Sequence, residues 1–209
     1  MLYLAKNRKR HSSGRNLQFK RHLMIRNAKP DDAKAVAPLI IQAMCELAKK
    51  FSHTTDVEKT LALFEYFFSQ KDNQYSYENT LVFEESGQIL GSLNAYDGGK
   101  LSELRKTFTN YLRIHNNLKD FQPEEETHAG EFYFDTISVS PSAQGEGIGK
   151  QLIDAGIAWA KELGHKKVGL LVEVENDKAS KLYQSKGFEI QNKKKFMGGL
   201  YHHMIYQIA

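Results

Sequence analysis

Apolar residues along this chain change their spacing in a way that separates helices from strands. Between Ala33 and Ala48 they recur at Val36, Ala37, Ile40, Ile41, Met44 and Cys45, three and four residues apart, which predicts a helix with one apolar face. Cys45 is expected on that face as a small buried residue rather than as a nucleophile. Pro30-Asp31-Asp32 precede it and suit a helix start, where acids meet the positive helix end and proline removes a donor that would be unpaired. The same spacing at Leu61, Phe64, Phe67 and Phe68 predicts a second helix over Val57 to Ser69, packed in the core.

Elsewhere the pattern shortens to strands. Met24 to Ala28 reads as a short strand, and Thr80 to Glu84 and Gln88 to Asn94 flank a Gly87 turn as a hairpin. Gly98 to Thr127 is polar and longer than a hairpin loop needs; Leu101, Leu104, Phe108, Leu112 and Leu118 predict at least one helix within it. Glu131 to Val139 is rich in aromatic and β-branched residues and predicts a strand ended by Pro141. An amphipathic helix follows from Ile148 to Leu163, closed by Gly164, then a strand over Lys167 to Glu173. Asn176-Asp177 caps a helix running through Ser185, and Phe188 to Lys193 pairs with Tyr201 to Ile208. Strand, crossover helix, strand demands one parallel pair, while the hairpins demand antiparallel ones. The expected fold is α/β (α+β): a mixed, mostly antiparallel sheet with helices on both faces.

Composition narrows the function. The 209 residues carry 29 Lys and Arg against 25 Asp and Glu, a net charge of +4. Seven of those bases, and no acid, fall in residues 1–23; the rest of the chain holds 22 bases against 25 acids, a net −3. The body is therefore not a nucleic-acid binder by charge. Residues 1–23 are expected to be a basic disordered tail or an added leader, with the folded domain spanning 24–209. No apolar run approaches the roughly 18 residues of a membrane span, and no secretory signal is seen. The single cysteine, Cys45, leaves no internal disulfide and suits a cytoplasmic location.

Gln144-Gly145-Glu146-Gly147-Ile148-Gly149-Lys150 joins a strand to a helix start. Unpaired amides at a helix N-terminus, glycines that admit close backbone approach, and a lysine make an anion site. The spacing does not match a P-loop, since Gln151 stands where Ser or Thr is needed, nor the dinucleotide fingerprint.

Gln144-x-x-Gly147-x-Gly149, preceded by Ile137-Ser138-Val139-Ser140-Pro141, resembles the acetyl-CoA motif of the GNAT superfamily of N-acetyltransferases. A second signature, Asn176-x-x-Ala179-x-x-x-Tyr183-x-x-x-Gly187-Phe188, lies at the expected distance. The resemblance covers Met24 to Ala209, is strongest from Phe132 to Phe188, and weakens over Gly98 to Thr127. It implies a splayed central strand pair, with acetyl-CoA as co-substrate, no metal, and an amine acceptor of unspecified kind. It implies that Gln144, Gly145, Gly147, Ile148, Gly149 and Lys150 hold the pyrophosphate. Ile137 and Val139 would align the pantetheine arm, Asn176 would touch it, and Tyr183 would protonate the departing thiolate. A homodimer is a common state in that family.

The amine must lose a proton before it attacks, since an alkylamine has a pKa of about 10.4. Alternation would place Asp135, Ile137 and Val139 on one strand face, which makes Asp135 the first candidate base, Glu131 the second, and a water chain the third route. His202 and His203 face opposite sides and are expected to be structural. Glu124-Glu125-Glu126 and Lys193-Lys194-Lys195 are expected in a solvated loop and a solvated turn. Gly98 to Thr127 is expected to shape the acceptor site, and Gly198-Gly199-Leu200-Tyr201 to form the last hairpin loop near it. The competing function is a catalytically silent acyl-CoA-binding sensor of the same fold.

Overall fold

The computed structural model describes residues 23–116, 118 and 121–209; of the tail read in residues 1–23, residues 1–22 lie outside them and Leu23 opens the first strand. Strand β1 (Leu23–Asn27) leads into α1 (Ala33–Met44), α2 (Glu46–Ser52) and α3 (Val57–Ser69). The hairpin β2 (Thr80–Glu85) and β3 (Gln88–Asp97) follows, then α4 (Leu101–His115) inside the long insertion. Strand β4 (Phe132–Val139), α5 (Ile148–Glu162) and β5 (Lys167–Glu173) form the crossover unit. Helix α6 (Asp177–Ser185) and the hairpin β6 (Glu189–Phe196) and β7 (Gly199–Gln207) close the chain.

The seven strands form one sheet in the order β1-β2-β3-β4-β5-β7-β6, and the β4–β5 pair is parallel while its neighbours are antiparallel. Helices cover both faces. On one, α5 sets Leu152 and Ile153 against Leu93 and Phe134, with Leu182 and Tyr183 of α6 at the margin. On the other, Val36 and Ile40 of α1 and Phe64 and Phe67 of α3 meet Phe108 of α4 and Val82 of β2. This is the mixed, mostly antiparallel architecture that the hydrophobic spacing predicts.

Three local features depart from the sequence reading. The first helix breaks at Cys45, whose φ of 49° and ψ of −122° redirect the chain into α2. Cys45 is exposed as a result, not buried on the apolar face. No glycine or proline marks the break, and the Cys45 N–H still bonds to Ile41 O at 2.9 Å, so the helical spacing runs through it unaltered. Lys193-Lys194-Lys195 lie within edge strand β6 rather than in a turn. Finally, β4 bulges: Asn94 pairs with Thr136 and Ala95 with Phe134, which leaves Asp135 without a partner on β3. A bulge adds one residue and reverses the alternation beyond it. Phe134 and Ile137 therefore both pack toward α5, while Asp135 turns to the opposite face, so Asp135, Ile137 and Val139 do not share a face.

Helix α5 rests on the sheet through Gly156, where a Cβ would collide with Leu93 Cδ2 and Phe134 Cζ. Gly156→Val should destabilise the fold by about 1–3 kcal/mol through overpacking, lowering Tm by roughly 2–4 °C per kcal/mol in thermal unfolding. An unchanged Tm would show that α5 does not approach the sheet there.

Candidate active site

The parallel ladder between β4 and β5 has three rungs: Phe132 to Val168, Tyr133 to Gly169 and Phe134 to Leu170. Beyond Phe134 the strands part at the bulge, and a cavity of about 830 Å³ opens between them. The direction of the β4 peptides follows from one bond. The Ser140 N–H donates to Leu90 O on the β3 side at 2.8 Å, so by strand alternation the peptide groups of Val139 and Ile137 point the other way, into the gap. Two side chains already reach Val139 O: Gln42 Nε2 of α1 at 2.9 Å and Gln144 Nε2 at 3.2 Å. Gln42 Nε2 also donates to Ser138 Oγ at 2.8 Å, which fixes α1 against β4.

The Gly-rich loop lies at one end of this cavity. Gly145 has a φ of 90° and Gly147, the N-cap of α5, a φ of 82°; both need the left-handed region that glycine adopts without strain. No atom lies within 4 Å of where their Cβ atoms would be, so the space beside them is open. Ile148 is buried against the sheet, whereas Lys150 is exposed. Gly149, Lys150, Lys178 and Lys181 also line the cavity. The amides of Ile148, Gly149 and Lys150 belong to the first turn, where no helical carbonyl is available to them.

Helix α6 forms the wall across the gap. Asn176 is its N-cap, its Oδ1 accepting from the Ala179 N–H at 3.1 Å, which leaves Nδ2 without a protein partner among the described residues. Tyr183 is half-buried with its ring edge-on to Phe188, 5.8 Å between centroids. Burial pushes its phenol up to about 12, so at neutral pH it holds its proton. Its Oη has no hydrogen bond among the described residues and it lines the cavity.

The far end of the cavity holds a buried polar network whose members come from five separate segments. Asn73 anchors the segment after α3, its Nδ2 donating to Phe67 O at 2.9 Å and its Oδ1 accepting from the Tyr75 N–H at 2.9 Å. This places Gln74, whose Nε2 donates to Asp135 Oδ2 at 2.7 Å and Glu126 Oε1 at 3.2 Å. Tyr96 Oη of β3 donates to Asp135 Oδ2 at 2.9 Å. Arg105 of α4 donates from Nε to Gln74 Oε1 at 2.9 Å and pairs through Nη2 with Glu126 Oε1. Burial pushes the Asp135 carboxyl above the ordinary carboxylate range, against the pull of Gln74 and Tyr96. Burial likewise raises Glu126, against Arg105, and nearby Asp135 raises it further. Asp135 Oδ2 is occupied twice, while Oδ1 has no protein partner among the described residues.

The network differs from the sequence reading in its second acid. Glu131 does not line the cavity. It is buried beside Gly169 and bonded to Thr127 Oγ1 at 3.1 Å and to His203 Nε2 at 3.1 Å. Burial works to raise its carboxyl, but His203 and His128 outweigh this and hold it below its ordinary value. The second carboxylate of the cavity is Glu126, 3% exposed, where a solvated loop was expected; Glu124 and Glu125 are exposed as that expectation has it. Gln42, Gln74 and Arg105 carry no sequence signal for the site, because each arrives from a remote helix or loop.

Comparison with known proteins adds to this geometry. A family model described as the acetyltransferase (GNAT) family matches residues 41–188. A solved structure described as an acetyltransferase aligns with a TM-score of 0.76 at 30% identity, covering 89% of this chain and 100% of that one. An N-acetyltransferase from Staphylococcus aureus Mu50 shares the fold with a TM-score of 0.75 at 23% identity, over 88% of this chain and 100% of its own. A curated mycothiol acetyltransferase from Propionibacterium freudenreichii subsp. shermanii is 38% identical over 61 residues, which are 29% of this chain and 19% of that protein. The chain thus spans less than a fifth of the length of the curated relatives it matches.

Arg105→Leu should cost about 3–5 kcal/mol, because it leaves Glu126 buried without its cation. The pH dependence carries the sign. With Arg105 gone the Glu126 carboxyl rises further, so the folded state keeps a proton that the unfolded chain releases near pH 4.3. Stability of the variant relative to wild type should be least impaired below that pH and fall as pH rises through the folded value. Denaturant unfolding across pH 4 to 8 measures this, and a pH-independent difference would show that Glu126 does not depend on Arg105 for its charge.

Proposed function

The chain belongs to the acetyltransferase (GNAT) family, and on that premise we propose that it transfers the acetyl group of acetyl-CoA directly to an amine in the gap between β4 and β5. The observation that carries this reading is the gap itself, where the Ile137 and Val139 peptides are exposed between a glycine-rich helix start and a free tyrosine hydroxyl. The residues fit acetyl-CoA. The open space beside Gly145 and Gly147, the first-turn amides of α5 and Lys150 suit a pyrophosphate. The Ile137 peptide suits an amide of a pantetheine arm, the Val139 N–H is left for the thioester carbonyl because Gln42 and Gln144 already hold Val139 O, and Asn176 Nδ2 is free to add a further contact.

Bound acetyl-CoA supplies a thioester reactive enough that no acyl-enzyme is needed. Asp135 accepts a proton from the incoming ammonium at Oδ1, while Gln74 and Tyr96 hold Oδ2. Its raised proton affinity brings it closer to neutrality than an ordinary aspartate, which makes it a better base for this task. The Val139 N–H donates to the carbonyl oxygen as negative charge develops there. Tyr183 Oη gives its proton toward the sulfur; a thiol has an ordinary pKa near 8.5, so a phenol kept protonated can serve as the donor. The nitrogen's second proton balances the one Tyr183 gives, and one proton leaves to solvent.

Acetyl-CoA at 100 times its Kd should stabilise the protein by roughly 2.7 kcal/mol in thermal unfolding, and Gly147→Val should abolish that shift. Tyr183→Phe and Asp135→Asn should each lower turnover by about 10²- to 10⁴-fold, with acetyl-CoA affinity nearly unchanged. In wild type, kcat/KM should rise with pH through a value above the ordinary aspartate pKa of about 3.9, and Asp135→Asn should lose that limb. Binding of acetyl-CoA with no turnover of any amine would return the molecule to a silent acyl-CoA sensor.

A further inference from the structure

Three polar atoms near the Asp135 end of the cavity lack partners. Glu126 Oε2, Tyr75 Oη and Thr136 Oγ1 are buried without a hydrogen bond among the described residues, and all three residues line the cavity. A buried polar atom left unpaired is costly, and a charged one more so. Glu126 is the informative case. Its Oε1 takes both Arg105 and Gln74, so Oε2 is the oxygen left over. Asp135 repeats the pattern, with Oδ2 bound to the protein and Oδ1 not. Two carboxylates that each keep one oxygen unbound, beside the aromatic surfaces of Phe51, Tyr75 and Tyr133, complement an ammonium on an apolar stem.

The cations of the cavity are placed elsewhere. Lys150, Lys178 and Lys181 stand on α5 and α6, beside the glycine loop. At the carboxylate end the cation is Arg105, which spends Nε on Gln74, Nη1 on Glu124 O at 3.0 Å and Nη2 on Glu126. An acceptor carrying its own carboxylate would meet two more carboxylates there and no free cation among the described residues. The walls of that end are also tied together. Lys50 Nζ of α2 donates to Met197 O at 2.6 Å, and the Met197 N–H donates to Glu124 Oε2 at 2.7 Å. These bonds link α2, the β6–β7 turn and the segment leading to Glu126.

We propose that the acetyl acceptor is a small primary amine with an apolar or aromatic body and no acidic group, and that Glu126 recognises its ammonium beside Asp135. This rests on the acetyl-transfer reading above and deepens it. Glu126 comes from the long insertion after β3, so acceptor choice would be set there while the donor is held by α5 and α6. The step itself adds no new chemistry: Glu126 binds the ammonium, Asp135 takes its proton, and the free amine attacks.

The test follows thiol release by the full chain with acetyl-CoA and four acceptors: phenethylamine, phenylalanine, spermidine, and a short peptide with a free N-terminus and one lysine. Phenethylamine should show the highest kcat/KM, by ~10-fold or more, the equivalent of about 1.4 kcal/mol. Glu126→Gln keeps an acceptor for Arg105 and should raise the KM for phenethylamine by ~10-fold or more, with kcat and acetyl-CoA affinity changed far less. Should that variant fail to fold, the wild-type protein still decides: phenethylamine should raise its Tm, whereas hydrocinnamate, the same body bearing a carboxylate, should not. An equal effect of the two overturns the proposal. No thermal shift with acetyl-CoA overturns the donor reading and this inference together. A shift with acetyl-CoA, accompanied by preferred turnover of any of the other three acceptors or by no turnover of phenethylamine, overturns this inference alone.

Discussion

Two neighbouring strands that stop pairing in the middle of a sheet leave rows of N–H and C=O groups facing each other with nothing between them. Exposing such groups away from water is costly, so a protein that does it must have a partner for them. Here the separation begins at Asp135, the residue that β3 cannot pair, and the rest of the site is arranged around it. The bulge releases β4 from β5 and aims the Asp135 carboxylate across the sheet toward Gln74 and Tyr96. It also returns Ile137 and Val139 to the α5 side. One extra residue thus sets both the opening between the strands and the direction of the Asp135 carboxyl.

The site combines proton affinities that burial has moved upward. A carboxylate shifted up becomes a more willing acceptor, and a phenol shifted up becomes a group that never loses its proton near neutrality. Asp135 and Tyr183 lie on opposite sides of the gap, on β4 and α6, and burial raises the proton affinity of both. Glu126 stays in place because Arg105 offsets its desolvation, and Arg105 in turn is held by Gln74 and the Glu124 carbonyl. The network is closed on its protein side and open toward the cavity.

What the sequence made legible was local. The turn into α5 and the cap at Asn176 each depend on residues within one helix start, so their spacing was readable directly, while Tyr183 was singled out by the resemblance to a family signature. The order of strands and the mixed sheet followed from the same periodicities. The polar network was not legible, since Gln74, Tyr96, Arg105, Glu126 and Asp135 meet only after the sheet has formed and α3 and α4 have packed on it. A run of three glutamates looks solvated until an arginine from another helix withdraws one of them. The break at Cys45 was hidden because the backbone bond to Ile41 persists through it, and the bulge was hidden because it is a property of two strands, not of one. Glu131 shows the converse error: a strand-adjacent acid in the right stretch of sequence, yet committed to His203 and Thr127.

A ladder of three rungs is a short seam. On one side lie β1 to β4 and on the other β5, β7 and β6, so the sheet is two leaves of a book bound along Phe132 to Phe134. Stiffness across that binding comes from α5, whose residues touch both leaves, from the Glu131–His203 pair and the Lys50–Met197 bond, and from whatever fills the open margin. A molecule lying in the gap would act as a rivet, adding cross-links between leaves that the backbone itself does not supply. The donor would then be a mechanical component of the sheet as well as a reactant, and each turnover would loosen and refasten the two halves.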